Sequence, residues 1–177
     1  MKNFLALLIL LITVTNLSAQ IQKGTVLIGG TVGFNNVSED GDGITTINFS
    51  PIVGFFLSDR LAIGGSLDFN LIADDGDNTT SFGLTPFVRY YFNDSGPARF
   101  FGQAKAGFQI GTTDFSEDVS TALVFGLGLG ADFFLNDNVA IEGFLGYQRL
   151  QYPDAEFGIN NIGLNFGVAA FIGRGNE

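Results

Sequence analysis

Hydrophobic and polar residues alternate along nearly all of the chain after Lys23. Successive side chains of an extended strand point to opposite faces, so a period of two predicts β-strands with one apolar face. Eight such segments are predicted, and none of this part of the chain has the pattern of a helix. The segments are 24–35, 44–57, 61–73, 80–92, 99–113, 121–135, 139–152 and 161–172.

The polar spacers between the predicted strands alternate in length. An up-and-down antiparallel barrel that crosses a membrane has this rhythm, with tight turns on the inner side and longer loops outside. Asp59, Asp94 and Asp137 lie in the short spacers and are predicted to form turns by hydrogen bonds to nearby backbone. The short spacers are 58–60, 93–98 and 136–138, and the long ones are 36–43, 74–79, 114–120 and 153–160.

One hairpin pattern occurs twice in the chain. The stretch "FFLSDRLAIGG" (55–65) returns as "FFLNDNVAIEG" (133–143), and each copy reads as two strands joined by a tight turn. Aromatic rings at such strand ends are typical of the interfaces of a membrane barrel. The predicted inner girdle is Phe55, Phe92, Phe100 and Phe133, and the predicted outer one is Phe34, Phe69, Phe82 and Tyr147.

The apolar face of the predicted strands carries the bulky side chains. In 121–135, Leu127, Leu129 and Phe133 share one face, whereas glycines and Asp132 share the other. An eight-stranded barrel has little interior volume, so the bulky face must point outward, and only lipid accepts so much exposed hydrophobic surface. We therefore predict an all-β, eight-stranded antiparallel up-and-down transmembrane β-barrel. A soluble lipocalin-like ligand carrier, with an apolar interior, is the alternative.

The amino terminus has the three-part plan of a secretory signal peptide. Basic Lys2 precedes an apolar run over 4–14, and small Ser18 and Ala19 follow. The apolar run is short for a membrane span, so we predict export with cleavage after Ala19. The predicted boundaries are 1–19 for the signal peptide and 20–177 for one barrel domain, with its strands within 24–172.

The last predicted strand, "NIGLNFGVAAFI", resembles the carboxy-terminal signal read by the barrel-assembly machinery. Together with the spacer rhythm and the "FFLSDR" type of hairpin, it makes 24–172 resemble the small eight-stranded outer-membrane β-barrels typified by OmpX and the barrel domain of OmpA. That family usually ends on an aromatic residue, whereas "GRGNE" follows Ile172 here. The positions that match the signal are Asn161, Gly163, Phe166 and Val168.

This resemblance implies a place in the cell and a set of partners. The expected location is the outer membrane of a Gram-negative-type cell, with insertion by the barrel-assembly machinery. The expected contacts are outer-membrane lipid and lipopolysaccharide, and the expected state is a monomer. The implied work is structural support of the envelope, or interaction with an unidentified ligand at the cell surface.

The composition removes most catalytic chemistry. The chain has no His and no Cys, so the usual proton-transfer group near neutral pH and any thiolate are missing. No Ser lies in a recognisable nucleophile motif. A formal net charge of -10 also argues against nucleic acid, because phosphate binding needs a basic surface. We predict a non-enzymatic protein without a cofactor and without a nucleic-acid partner.

Five charged residues fall on the predicted inward face of the strands. Buried charges are tolerated when they are paired, and side chains fill most of the lumen of an eight-stranded barrel. We interpret these residues as a paired network that closes the lumen. A narrow pore for ions or small solutes is the alternative interpretation. The five residues are Asp68, Arg89, Lys105, Asp132 and Glu142.

The long spacers hold most of the acidic residues and no Lys or Arg. The stretches "EDGDG" and "DDGDN" cluster carboxylates that could bind divalent cations, although neither matches a full calcium-loop pattern. The plainer interpretation is a solvated surface at the loop tips. The weak metal candidates are Asp40, Asp42, Asp74, Asp75 and Asp77.

Overall fold

The structure of the protein is a computed structural model. It describes residues 21–39, 42–74, 77–113, 116–153 and 158–173. Side chains are described over 21–33, 46–72, 79–112, 120–153 and 158–173. The predicted signal peptide, 1–19, lies outside these ranges and stays a prediction. Within the described ranges, no helix has the length and hydrophobicity needed to cross a membrane.

Eight strands form a closed antiparallel barrel, and the predicted fold class is confirmed. Each strand pairs with its neighbours in the sequence, and β1 closes the barrel by pairing with β8. We call the end that carries the β2–β3, β4–β5 and β6–β7 turns the inner end. The strands are β1 Val26–Glu39, β2 Asp42–Ser58, β3 Leu61–Asp74, β4 Asp77–Tyr91, β5 Ala98–Thr113, β6 Ser116–Phe134, β7 Val139–Gln151 and β8 Gly158–Ile172.

The spacers predicted as long loops are largely strand. β1 continues to Glu39, β2 begins at Asp42, and these two residues are register partners. The backbone ladder does not depend on side-chain polarity, so pairing continues where the side chains become polar. The predicted rhythm of long and short connections is therefore wrong, because polarity marks a change of surroundings and not the end of a strand. Strand residues occupy most of the spacers 36–43, 74–79 and 114–120. In the spacer 153–160, β8 begins at Gly158.

The predicted alternation of faces is confirmed. Leu127, Leu129 and Ile162 are exposed on the outside, whereas Asp132 is fully buried. An exterior this rich in large apolar side chains contradicts the alternative of a soluble carrier. The aromatic residues predicted for the girdles face outward wherever their side chains are described, which leaves out Phe34; they are Phe55, Phe69, Phe82, Phe92, Phe100, Phe133 and Tyr147.

The inner end of the lumen holds an aromatic core. Each "FF" pair of the repeated hairpin places one ring outside and one inside, as with exposed Phe55 and buried Phe56. The ring centroids of Phe56 and Tyr91 are 5.5 Å apart, and those of Phe134 and Phe171 are 5.0 Å apart. At this end of the barrel, packed aromatic rings and not the predicted charge network fill the lumen.

Asparagines close two of the inner turns. Asn136 Oδ1 accepts hydrogen bonds from the backbone N–H groups of Asn138 and Val139, both at 2.9 Å. Asn93 Oδ1 accepts one from the N–H of Phe100 at 2.8 Å. The amide group suits both turns because it offers an acceptor and two donors on one short side chain.

Two of the predicted turn aspartates make other contacts. Asp59 Oδ1 accepts a hydrogen bond from the N–H of Lys23 at 2.9 Å and so fixes the segment that precedes β1. Asp94 pairs with Arg60 of the β2–β3 turn. Asp59 therefore fastens the chain ahead of β1, whereas Asp94 both links two turns and accepts a hydrogen bond from its own backbone N–H, as predicted.

Candidate functional site

A charged layer crosses the lumen directly above the aromatic core. Arg89 on β4 donates to Glu142 on β7, with 2.6 Å from Nη1 to Oε2 and 3.3 Å from Nη2 to Oε1. Its Nε donates to Gln103 Oε1 at 2.8 Å, and its guanidinium carbon lies 3.9 Å from the ring centroid of Phe101. Arg89 is 1% exposed and Glu142 is 3% exposed. Because β4 and β7 are not neighbours, this pair bridges the lumen.

A second carboxylate belongs to the same layer. Tyr91 donates from its hydroxyl to Asp132 Oδ2 at 2.7 Å, and Arg89 Nη1 lies 3.9 Å from that oxygen. Asp132 and Glu142 are register partners on β6 and β7. Asp132 Oδ1 has no hydrogen-bond partner among the described residues. One guanidinium thus serves two buried carboxylates.

Asp68 and Lys105 form a separate pair in the lumen. Lys105 Nζ lies 3.3 Å from Asp68 Oδ2, and the hydroxyl of Thr85 donates to the same oxygen at 2.5 Å. Ser66 joins them through a hydrogen bond between its hydroxyl and that of Thr85. The five inward charges named from the sequence therefore lie in two groups, one across the lumen and one along the β3–β5 wall.

Amide side chains line a small cavity in the lumen. Its volume is about 90 Å³, and Asn48, Asn70, Gln103, Gln148 and Asn165 are part of its wall. A polar cavity of this size can hold a few water molecules. It is far below the roughly 300–1,000 Å³ of a pocket for a drug-sized ligand.

The inward charge that sequence reasoning missed is Arg99. It is buried, and its guanidinium carbon lies 5.9 Å from the ring centroid of Phe134. The signal was present in the sequence, because Arg99 and Lys105 are an even number of residues apart on β5 and so share a face. The alternation places Tyr91 on the same face as Arg89, but neither Tyr91 nor Gln103 was predicted as part of the network, because a neutral side chain does not need a charged partner.

The metal candidates lie at the outer end of the barrel. Asp42, Asp74 and Asp77 are at strand ends, but their side chains, and all of Asp40 and Asp75, lie outside the described residues. In the part of the chain that the structure describes, no group of three or more His, Cys, Asp or Glu side chains is placed to hold a metal ion.

An exposed ion pair ties two turns together at the inner rim. Arg60 in the β2–β3 turn pairs with Asp94 in the β4–β5 turn. The hydrogen bond from Arg60, followed by its positive charge, lowers the pKa of Asp94 below the ordinary carboxyl value. Both side chains are in solvent, so this pair contributes far less to stability than the buried layer.

Comparisons with known proteins agree with this architecture. Residues 4–171 match the family model described as outer membrane protein beta-barrel domain. No curated protein sequence matches the chain. Neisserial surface protein A is similar in structure, with a TM-score of 0.65, 14% identity and coverage of 84% of this chain and 97% of that one.

Two further solved structures are similar in the same way. The N-terminal β-barrel domain of Pseudomonas aeruginosa OprF gives a TM-score of 0.57 and 18% identity, covering 85% of this chain and 98% of that one. The Yersinia pestis outer membrane protein Ail, in a phospholipid bilayer nanodisc, gives a TM-score of 0.50 and 15% identity, covering 85% of this chain and 100% of that one. At these identities, the likeness shows a shared fold.

Proposed function

Because the chain belongs to the outer membrane protein beta-barrel domain family, and is therefore an outer-membrane protein, we propose that it serves the envelope there as a closed barrel without catalysis. Its work is structural support of the membrane or contact with a surface ligand through its acidic outer end. It acts as a monomer that the barrel-assembly machinery inserts by its last strand, and its outer surface contacts lipid and lipopolysaccharide.

The observation that carries this proposal is the bridge from Arg89 to Glu142. The bridge spans the lumen between strands that are not neighbours, and it rests on the ring of Phe101. Below it, the aromatic core fills the inner end with Phe56, Tyr91 and Phe101. A solute would have to break the buried ion pair and then displace packed rings. The two layers together support a closed lumen.

A narrow pore for ions or small solutes is the second candidate. The amide-lined cavity of about 90 Å³ favours it, since polar walls of this kind could hold water above the Arg89 layer. The pore would then need a gate at that layer. The closed barrel requires no such movement, and we favour it for that reason.

Conductance in planar bilayers separates the two candidates. We expect the refolded wild-type protein to show little or no steady conductance, because side chains occupy the path. Arg89→Ala removes the bridge, and Arg60→Ala at the inner rim is the matched control outside the lumen. Stable, ion-selective channels from the wild type, together with only mild loss of stability in Arg89→Ala, would mean that the charges line a pore.

The surface role depends on the orientation of the barrel. Outer-membrane barrels project further from the membrane on the extracellular side than on the periplasmic side. At the acidic end, β1 continues to Glu39 and β2 begins at Asp42, so the strands there extend through polar sequence beyond the apolar band. We therefore expect a Cys placed at Asp75 to react with an impermeant maleimide on whole cells, and a Cys placed at Asp137 to remain unlabelled. The chain has no Cys of its own, so the labelling background is low. Reversed labelling would place the acidic end inside and remove the surface role.

A further inference from the structure

The seam between β1 and β8 is paired over only part of its length. Register partners run from Val26 and Ile172 up to Val32 and Phe166. Beyond these, within the described backbone, β1 has partners only on β2 and β8 has partners only on β7. Two strand edges therefore face each other without partners in the outer half of the seam. We call them the fork, formed by residues 33–39 and 158–165.

Two amide side chains converge where the fork begins. A Cβ atom added to Gly33 would lie 2.0 Å from Asn48 Oδ1 and 2.4 Å from Asn165 Oδ1. These amides come from β2 and β8, the strands on either side of β1, and they occupy the space that a side chain at Gly33 would need. The fork is thus a packed feature of the wall, with the amide-lined cavity directly behind it.

With the acidic end facing the cell exterior, as proposed above, the fork begins at the depth of the outer leaflet and its upper residues reach the headgroups. At ~3.3 Å per residue and a tilt of ~40°, the paired part of the seam rises ~15 Å within an apolar band of ~25 Å. On the outer face of β8, Ile162 is 71% exposed and Leu164 is 58% exposed. Backbone groups without partners are costly in the lower part of the fork, where the amide-lined cavity lies directly behind the strands. The upper part of the fork lies within reach of a lipid headgroup.

A cation lies at the top of the fork, on the side that faces the membrane. Arg149 donates to Gln151 Oε1 at 3.1 Å and to Asn160 Oδ1 at 3.5 Å, and Tyr147 donates to Asn160 Oδ1 at 2.7 Å. The guanidinium of Arg149 lies over β8, since a Cβ atom added to Gly158 would be 2.9 Å from Arg149 Cζ. None of the ion pairs between described side chains involves Arg149.

We propose that the fork binds the phosphate headgroup of an outer-leaflet lipid. The phosphate accepts hydrogen bonds from the guanidinium of Arg149, which matches its geometry, and from N–H groups of the β8 edge that have no partner strand. The acyl chains lie below it against Ile162 and Leu164. A strand from another protein would also satisfy the edges, but among the described side chains the guanidinium would then have no anion. This site does not depend on whether the lumen conducts.

The test compares two lipids in maltoside micelles, which contain no phosphate. Phosphatidic acid and diacylglycerol with the same acyl chains differ only in the phosphate. We expect phosphatidic acid to bind the refolded protein, seen by native mass spectrometry, and to slow hydrogen exchange at amides of 159–165. Diacylglycerol should do neither. Amides of 166–172, which are paired with β1, serve as the internal control.

Variants assign the phosphate contact. Loss of a charge-assisted hydrogen bond should weaken phosphatidic acid binding by about tenfold or more in Arg149→Gln. Arg149→Lys keeps the charge but loses the planar guanidinium, so its binding should lie between that of the wild type and that of Arg149→Gln. Arg60→Gln removes an exposed arginine at the opposite end and should bind as the wild type does.

Several results would overturn the proposal. Equal binding of both lipids, or unchanged binding in Arg149→Gln, would show that the phosphate is not recognised. Amides of the fork that are protected from hydrogen exchange before lipid is added would show that the edges already have partners. Protection that rises with protein concentration, as a cross-linked dimer appears, would show that a second copy covers the edges. Should Arg149→Gln fail to fold, as judged by gel mobility without heating, the comparison of the two lipids on the wild type decides.

Discussion

Replacing Arg89 with alanine tests the charged layer most directly. The change leaves Glu142 and Asp132, which are 3% and 0% exposed, without the guanidinium that serves both. Removing one partner of a buried ion pair typically costs about 3–5 kcal/mol, because the remaining charge is uncompensated. The hydrogen bond to Gln103 and the contact with the Phe101 ring are lost as well and contribute to the same cost.

The free energy of unfolding in urea gives the measurement. The barrel is refolded into lipid vesicles and followed in both directions by far-ultraviolet circular dichroism and by tyrosine fluorescence, since the chain has no Trp. We expect Arg89→Ala to lower the free energy of unfolding by about 3–5 kcal/mol and to lower the unfolding temperature strongly. A double mutant with Glu142→Ala should be less destabilised than the sum of the single changes, because the pair shares one interaction.

The exposed pair at the inner rim supplies the control. Arg60→Ala removes an arginine from a pair with Asp94 in solvent and should change stability little. If Arg89→Ala and Arg60→Ala lower the free energy of unfolding equally, or if the double mutant is fully additive, the bridge across the lumen is not a working interaction and our reasoning is wrong.

Two further predictions concern close packing and the inner rim. Gly64→Ala should cost about 1–3 kcal/mol, because the new Cβ would lie 2.2 Å from Val53 O, whereas Gly65→Ala has open space and should be neutral or stabilising in the same urea assay. Equal effects would contradict the packing. In a carbon NMR titration, Arg60→Gln should raise the pKa of Asp94 toward its ordinary value. The lowered pKa means that the pair stabilises the fold at pH values above the ordinary carboxyl pKa, and that this contribution is lost as pH falls through the lowered pKa.

The sequence by itself determined the strands and their faces. A period of two is a local property, and it placed Leu127 and Leu129 outside and Asp132 inside without any knowledge of neighbouring strands. The same period could have located Arg99 and the inward ring of each "FF" pair. It did not locate the strand ends, since the hydrogen-bonded ladder between Glu39 and Asp42 continues regardless of side-chain polarity.

Only the tertiary structure decided which interior groups meet. Arg89 and Glu142 are 53 residues apart on strands that are not neighbours, and their contact depends on the stagger accumulated across every strand between them. The contact between two turns also depends on the tertiary structure, because Asp94 bonds to Arg60, which is 34 residues away in another turn. The fork is likewise invisible in the sequence, since β1 and β8 are distant along the chain and their pairing ends where Asn48 and Asn165 crowd over Gly33. Local alternation fixes which way a side chain points, but closure of the barrel fixes what it touches.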